Sequence, residues 1–273
     1  MKALFRMVLA VAVLASLATM AAPPKIQIAL LLDTSNSMDG LIEQAKTQLW
    51  NIVNEFALAR YEGEMPELEI ALYEYGNDGL PEENGYIRQV LPLTTDLDMI
   101  SEKLFELTTN GGSEYCGWVI REAAEQLAWS SGDRDFKAIF IAGNEEFDQG
   151  KVDFRASCRA AIEKGIIVNT IFCGDHDEGV AGHWKEGADL ADGAYMNIDQ
   201  NRMTVDIPAP QDSELARLNQ ALNETYLPYG KQGEARKELQ LKQDAYASGY
   251  SPGVLAQRTA TKAKRFYKNA EWD

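Results

Sequence analysis

The sequence has little of what a disulfide scaffold, a zinc protein or a nucleic-acid binder needs. Only three cysteines and two histidines occur in 273 residues. Cys116, Cys158 and Cys173 allow one disulfide with a leftover thiol, or none, and so few cannot be the main source of stability in a chain this long. Basic residues are also scarce. Against 42 Asp and Glu stand 26 Lys and Arg, for a net charge of −16. A surface of that sign repels phosphate backbones, which excludes nucleic acid as a partner, and it attracts cations and basic surfaces. After residue 22 no apolar run approaches the roughly 20 residues of a membrane-spanning helix. Internal repeats and low-complexity tracts are absent as well.

What is present is ordinary globular material, 45% apolar and 25% charged, enough for one α/β domain and a smaller appendage. The first 22 residues stand apart. Lys2 and Arg6 precede an apolar run over residues 7–18, and the small residues Ala21 and Ala22 precede Pro23 and Pro24. That layout is a secretory signal peptide cleaved near residue 21 or 22, and it predicts an exported protein, periplasmic or secreted, with no membrane span once the leader is gone. No cysteine follows the run to accept a lipid. The charge is uneven along the rest. Residues 23–200 carry 33 acidic and 13 basic groups, whereas residues 201–273 carry 9 and 11.

Apolar runs and amphipathic stretches alternate. Residues 26–32 (IQIALLL), 136–142 (FKAIFIA) and 166–173 (IIVNTIFC) are continuous, branched-rich runs of the kind buried on both faces of a sheet. Residues 68–75 and 86–93 read as two strands of a hairpin around a Gly-rich turn, and residues 194–198 as a short last strand. Helical spacing covers residues 40–59, 97–107, 114–129, 152–164 and 184–192. This order predicts an α/β fold: a doubly wound, mostly parallel, Rossmann-like sheet with helices on both faces, over residues 25–200. Residues 201–273 form a linker and a helical C-terminal extension, with helices over 213–225, 232–247 and 252–269. The stripes Leu215–Leu218–Leu222–Tyr226 and Leu239–Lys242–Tyr246–Tyr250 are expected to pack on the main domain.

Ligands of doubly wound sheets bind beyond the carboxyl ends of the strands. There the first strand runs into Asp33-Thr34-Ser35-Asn36-Ser37. Asp33, Ser35 and Ser37 place one carboxylate and two hydroxyls beside a helix start. Hard oxygens of this kind suit magnesium or manganese. The plainer reading is a strand end and a helix cap made by Ser37 or Asp39.

Asp33-x-Ser35-x-Ser37 after an apolar strand resembles the metal-ion-dependent adhesion motif of the von Willebrand factor type A domain family. The segment Leu107-Thr-Thr-Asn-Gly-Gly-Ser113 is similar to the family's Gly-rich loop, with Ser113 in the position of a Thr ligand and Thr108 and Thr109 as neighbouring substitutes. Residues 184–198 look like the family's last helix and strand. The resemblance covers residues 26–199 and implies the same doubly wound fold. It also implies a bound Mg2+ or Mn2+ and a protein partner that offers an acidic residue to the ion. One departure stands out. The family usually places an Asp after the fourth strand, and here the chain reads Gly143-Asn144-Glu145-Glu146. Asn144 or Glu145 must stand in, which implies a weakened site or none.

The expected function is a metal-dependent adhesion or scaffold module, not an enzyme. Two alternatives stay open: a magnesium-dependent phosphatase-like hydrolase with Asp33 as nucleophile, and a metal-free envelope scaffold. The hydrolase would need a second acid two residues on, where this chain has Ser35. A second polar cluster, Cys173-Gly-Asp175-His176-Asp177-Glu178 with His183, has zinc-type ligands but no zinc-type spacing, and reads as a loop over the sheet.

Overall fold

Strand β1, Lys25–Asp33, is buried along almost its whole length, because its alternate residues enter two separate cores. Ile28, Leu30 and Leu32 join one apolar cluster, while Ala29 and Leu31 join the other. A strand covered on both faces needs no polar alternation, which is why its sequence is a continuous apolar run. The computed structural model describes residues 23–198, 209–230, 232–250, 252–263 and 267. The leader, most of the linker and the last residues, Trp272 among them, lie outside the described residues.

Five further strands complete the sheet: β2 Glu67–Tyr75, β3 Ile87–Thr94, β4 Phe136–Gly143, β5 Ile167–Phe172 and β6 Tyr195–Asn197. Their order is β3-β2-β1-β4-β5-β6. Every pairing is parallel except β2 with β3, the expected hairpin. The helices that cover the sheet are α1 Ile42–Ala57, α2 Leu97–Glu106, α3 Cys116–Gln126, α4 Phe154–Glu163, α5 His176–Ala181 and α6 Trp184–Asp189. Helix α5 falls in the segment read as loop. Asp175 starts it, its carboxylate accepting from the backbone N–H groups of Asp177 (2.8 Å) and Glu178 (3.3 Å). A cap of that kind stabilises a single turn too short to show periodicity.

The chain builds β1, β2 and β3 to one side, then crosses back to lay β4, β5 and β6 on the other. The order therefore reverses between β1 and β4, and their carboxyl ends frame the crevice in which such folds bind ligands.

Three helices follow the linker: α7 Asp212–Thr225, α8 Gly233–Tyr250 and α9 Pro252–Lys262. Helix α8 packs on α2 and α9 on α1, with α7 against α9, but not mainly through the expected apolar stripes. Leu218 and Tyr246 remain 43% and 41% exposed. Tyr226 of the first stripe is buried, as are Ala247, Leu255 and Ala256, but most of the buried residues are polar. Arg258, 1% exposed, reaches Asp98 Oδ1 of α2 at 2.8 Å and Asp244 Oδ1 of α8 at 2.6 Å. Lys262 Nζ lies 2.6 Å from Asp244 Oδ2, and Tyr267 donates to Asp98. Ser101 donates to Gln243 Oε1 at 2.7 Å, and Thr261 to Asn54 Oδ1 at 3.0 Å. Hydropathy patterns find faces that avoid water, and this face is made of charges that satisfy one another.

No described helix is long and apolar enough to cross a membrane. All three cysteines are free and buried, and burial pushes each thiol above its ordinary range.

Candidate metal centre

Asp33 is the last residue of β1, in register with Tyr75 of β2, and Leu32 pairs with Ala142 of β4. Its carboxylate therefore stands at the carboxyl edge of the sheet, next to the reversal point. It is 0% exposed. Oδ1 accepts from the backbone N–H of Ser35 at 2.8 Å, while Oδ2 is buried without a hydrogen-bond partner. Burial, followed by the neighbouring charges of Glu114 and Glu145, lifts its pKa from 3.8 to about 7, against the Ser35 hydrogen bonds that lower it. An orphaned carboxylate oxygen at full burial is costly unless a proton or a cation satisfies it.

Glycines on both flanks make room for it. At Gly76, with φ of +77°, a Cβ would lie 2.7 Å from Asp33 Oδ1. At Gly143 a Cβ would lie 2.5 Å from the Tyr75 hydroxyl and 3.1 Å from Asp33 Cβ. Tyr75 itself is pinned by donation to Ala142 O at 3.1 Å. Gly143→Ala is therefore expected to destabilise the fold by about 1–3 kcal/mol through overpacking, read as a lower midpoint in urea unfolding.

Beyond Asp33 the chain turns through a short 3-10 segment, Asn36–Met38. The hydroxyls of Ser35 and Ser37 lie 2.7 Å apart. Ser37 Oγ donates to Asn144 Oδ1 at 2.9 Å, and Asn144 Nδ2 donates back to Ser37 O at 2.9 Å. The structure thus brings Asp33, Ser35, Ser37 and Asn144 together. Asn144 holds Ser37 by both ends of its amide. Glu145, half-buried, lines the pocket above, a space of about 350 Å3 bounded by Ser37, Gly111, Gly112, Glu114, Glu145 and Gln149.

The Gly-rich loop is stitched to the first loop by backbone bonds, Asn36 N to Gly111 O at 2.5 Å and Asn110 N to Thr34 O at 2.9 Å. From below, the buried Lys46 of α1 donates to Leu107 O at 2.7 Å. Ser113 sits half-buried in this loop and makes no hydrogen bond of the cluster. Thr109 donates to Asp39 instead, and Thr108 O accepts from Asn77. The residue the loop presents is Glu114, 4% exposed, which hydrogen-bonds Ser35 and whose carboxyl burial pushes above its ordinary range. Sequence reasoning missed it. The available signal was an acid directly after Ser113, in the turn before α3.

A profile of the von Willebrand factor type A domain matches residues 27–181. The chain belongs to this family. No curated protein matches it by sequence. Among solved structures, it is similar to the conserved hypothetical protein BatB from Bacteroides thetaiotaomicron, with 17% identity, a TM-score of 0.49, and 64% of this chain and 90% of that chain covered. It is also similar to the vWF domain of the type V pili tip protein Mfa5 from Porphyromonas gingivalis, with 11% identity, a TM-score of 0.49, and coverage of 77% and 99%. A third likeness is to proximal thread matrix protein 1 from the mussel byssus, with a zinc-occupied MIDAS motif. There identity is 10%, the TM-score 0.48, and coverage 67% and 43%. At these scores the likenesses carry no argument of their own.

Within this type A domain the donor set fits a hard divalent cation: one carboxylate with an orphaned oxygen, two serine hydroxyls, and further carboxylates close by. Among the described residues no three His, Cys, Asp or Glu side chains meet as a metal-holding group. In the second polar cluster, His176 Nδ1 faces Asp177 at 3.0 Å and His183 Nδ1 faces Glu186 at 2.9 Å, while Cys173 is buried. That cluster is loop and cap chemistry.

Proposed function

We propose that this type A domain is an exported protein-binding module, an adhesion or scaffold element, that uses a magnesium or manganese ion on its first loop. The observation that carries the reading is the fully buried Asp33 Oδ2 with no partner, beside two hydroxyls at the switch point of the sheet. Asp33, Ser35 and Ser37 would hold the ion, with Asn144 fixing Ser37 and Glu145 at the pocket rim adding negative charge. Ser113, the remaining expected ligand, is half-buried in the adjoining Gly-rich loop. The ion supplies a Lewis-acidic point able to accept an acidic side chain from a partner protein. Export rests on the leader-like first 22 residues.

A hydrolase is disfavoured by the same geometry. A nucleophilic Asp33 would have to reach substrate, yet it has no exposed surface, and Ser35 occupies the place of the second acid.

Calorimetric titration with Mg2+ and with Mn2+ tests the reading. Saturable binding that is lost in Ser35→Ala/Ser37→Ala supports it, and equal heats in the two proteins overturn it. Asn144→Asp gives a second check. A full negative charge placed within ~5 Å of a divalent ion is worth several kcal/mol at an effective dielectric of about 20, before desolvation. Mg2+ affinity is therefore expected to rise at least tenfold in that variant, measured in the same titration.

A further inference from the structure

Glu114 hydrogen-bonds Ser35 of the first loop. It is 4% exposed, yet among the described residues no Lys, Arg or His forms an ion pair with it. The charges acting on it are those of Glu145 and Asp78, and Glu114 in turn acts on Asp33. All are acidic. Its side chain stands against the first loop. The position of a Cβ on residue 76, 2.7 Å from Asp33 Oδ1, is 3.1 Å from Glu114 Cγ and 3.5 Å from Ser35 Cβ. The Asp33 carboxylate and the Glu114 side chain thus flank the same side-chain-free spot beside Ser35, and the Glu114 carboxylate lies over Gly112, where a Cβ would be 2.8 Å from its Oε1 and 3.5 Å from Ser35 Cβ. Glu114 also lines the pocket with Ser37 and Glu145.

Two buried carboxylates on adjoining loops repel each other, and the repulsion grows as solvent is excluded. The backbone bonds between the loops, Asn36 to Gly111 and Thr34 to Asn110, nevertheless hold them together. Such an arrangement becomes favourable when a cation lies between the acids. The fully buried Asp33 Oδ2, without a hydrogen-bond partner, points independently to a cation at this place.

We infer that Glu114 is a ligand of the cation, standing where the family is expected to use a hydroxyl, so that the centre has two carboxylates rather than one. The inference rests on the metal-site reading above and adds a regulatory consequence. With Asp33 and Glu114 both ionised, the charge of a divalent ion is balanced within the chain. Capture of the ion is strengthened, since affinity for hard cations rises with ligand charge. The pull of the loaded site on an incoming acid is weakened by the same balance. Glu114 therefore trades partner affinity for ion affinity, and its removal has effects of opposite sign on the two.

The test uses the full chain, with Mn2+ as the metal probe and acetate as the acid probe. Mn2+ affinity is measured by calorimetry in the wild type, Glu114→Gln, Glu114→Asp and Asp33→Asn. Acetate binding to the loaded protein is followed through the relaxation of water protons by Mn2+. Glu114→Gln is expected to weaken Mn2+ at least tenfold and to tighten acetate at least threefold, with Glu114→Asp recovering part of the ion affinity. If Glu114→Gln binds Mn2+ as the wild type does while Asp33→Asn does not, Glu114 lies outside the coordination sphere and the metal site stands without it. If the wild type binds no Mn2+, both this inference and the reading beneath it fail. Weakened Mn2+ with unchanged or weaker acetate overturns the regulatory half.

Discussion

Replacing Asp33 by Asn is expected to raise the stability of the cation-free protein while abolishing its response to magnesium. The two effects have one cause. In the wild type a carboxylate with no exposure and one orphaned oxygen must be ionised at the expense of the fold. Its pKa of about 7 lies above the ordinary 3.8, so the folded state binds its proton more tightly than the unfolded state. The sign follows: stability from this group is fully present below about pH 4 and is lost as pH rises to about 7. A bound cation removes the penalty. The amide in Asp33→Asn carries no charge to bury, so that part of the pH slope disappears. Thermal unfolding across pH 4 to 8, with EDTA and with Mg2+, reads all of this. The wild type without metal should lose stability across the range and regain it with Mg2+. The variant should have a smaller slope and no Mg2+ shift. A variant less stable than the wild type in EDTA would show that Asp33 is a structural acid with a partner of its own.

The largest loss of stability is expected far from the centre, in Arg258→Ala. This guanidinium is 1% exposed and serves Asp98 and Asp244 together. Its removal leaves Asp98 without a cationic partner in the interface between α2, α8 and α9, with only the Tyr267 hydroxyl, while Lys262 still answers Asp244. Breaking a buried ion network from one side costs about 3–5 kcal/mol. Because the network joins α8 and α9 to α2, the loss should appear as early unfolding of the extension. Urea unfolding followed by intrinsic fluorescence and by circular dichroism gives the size. A change below about 1 kcal/mol would mean that the C-terminal helices dock by other contacts. Arg258→Met and Lys262→Met with Asp98→Leu and Asp244→Leu removes all four charges at once, and should recover much of the loss, since an apolar replacement leaves no stranded charge.

The sheet was legible because its strands obey a single rule. Residues buried on both faces form continuous apolar runs, and IQIALLL, FKAIFIA and IIVNTIFC each became a central parallel strand. The hairpin of β2 and β3 followed from the polar, Gly-rich turn between two strand-like runs. Asp33, Ser35 and Ser37 were equally visible, since they follow a buried strand at alternate positions. The loop after residue 107 was harder. Ser113 and Glu114 are adjacent, and which of them faces the first loop depends on a backbone path through Gly111 and Gly112 that residue types do not specify. The helices of the extension were legible, but not its docking face, for another reason. Its docking face is built from Gln240, Gln243, Asp244, Arg258 and Lys262, residues that a hydropathy stripe assigns to solvent. Only the pairing of their charges, which joins residues up to 160 positions apart, makes their burial tolerable.

The most direct test of the cation centre is anomalous diffraction from crystals grown with Mn2+. A single strong peak is expected at the carboxyl end of β1, within about 2–3 Å of Asp33, Ser35 and Ser37 oxygens. A data set with no peak there, from crystals in which Mn2+ is seen at other sites, would contradict the account.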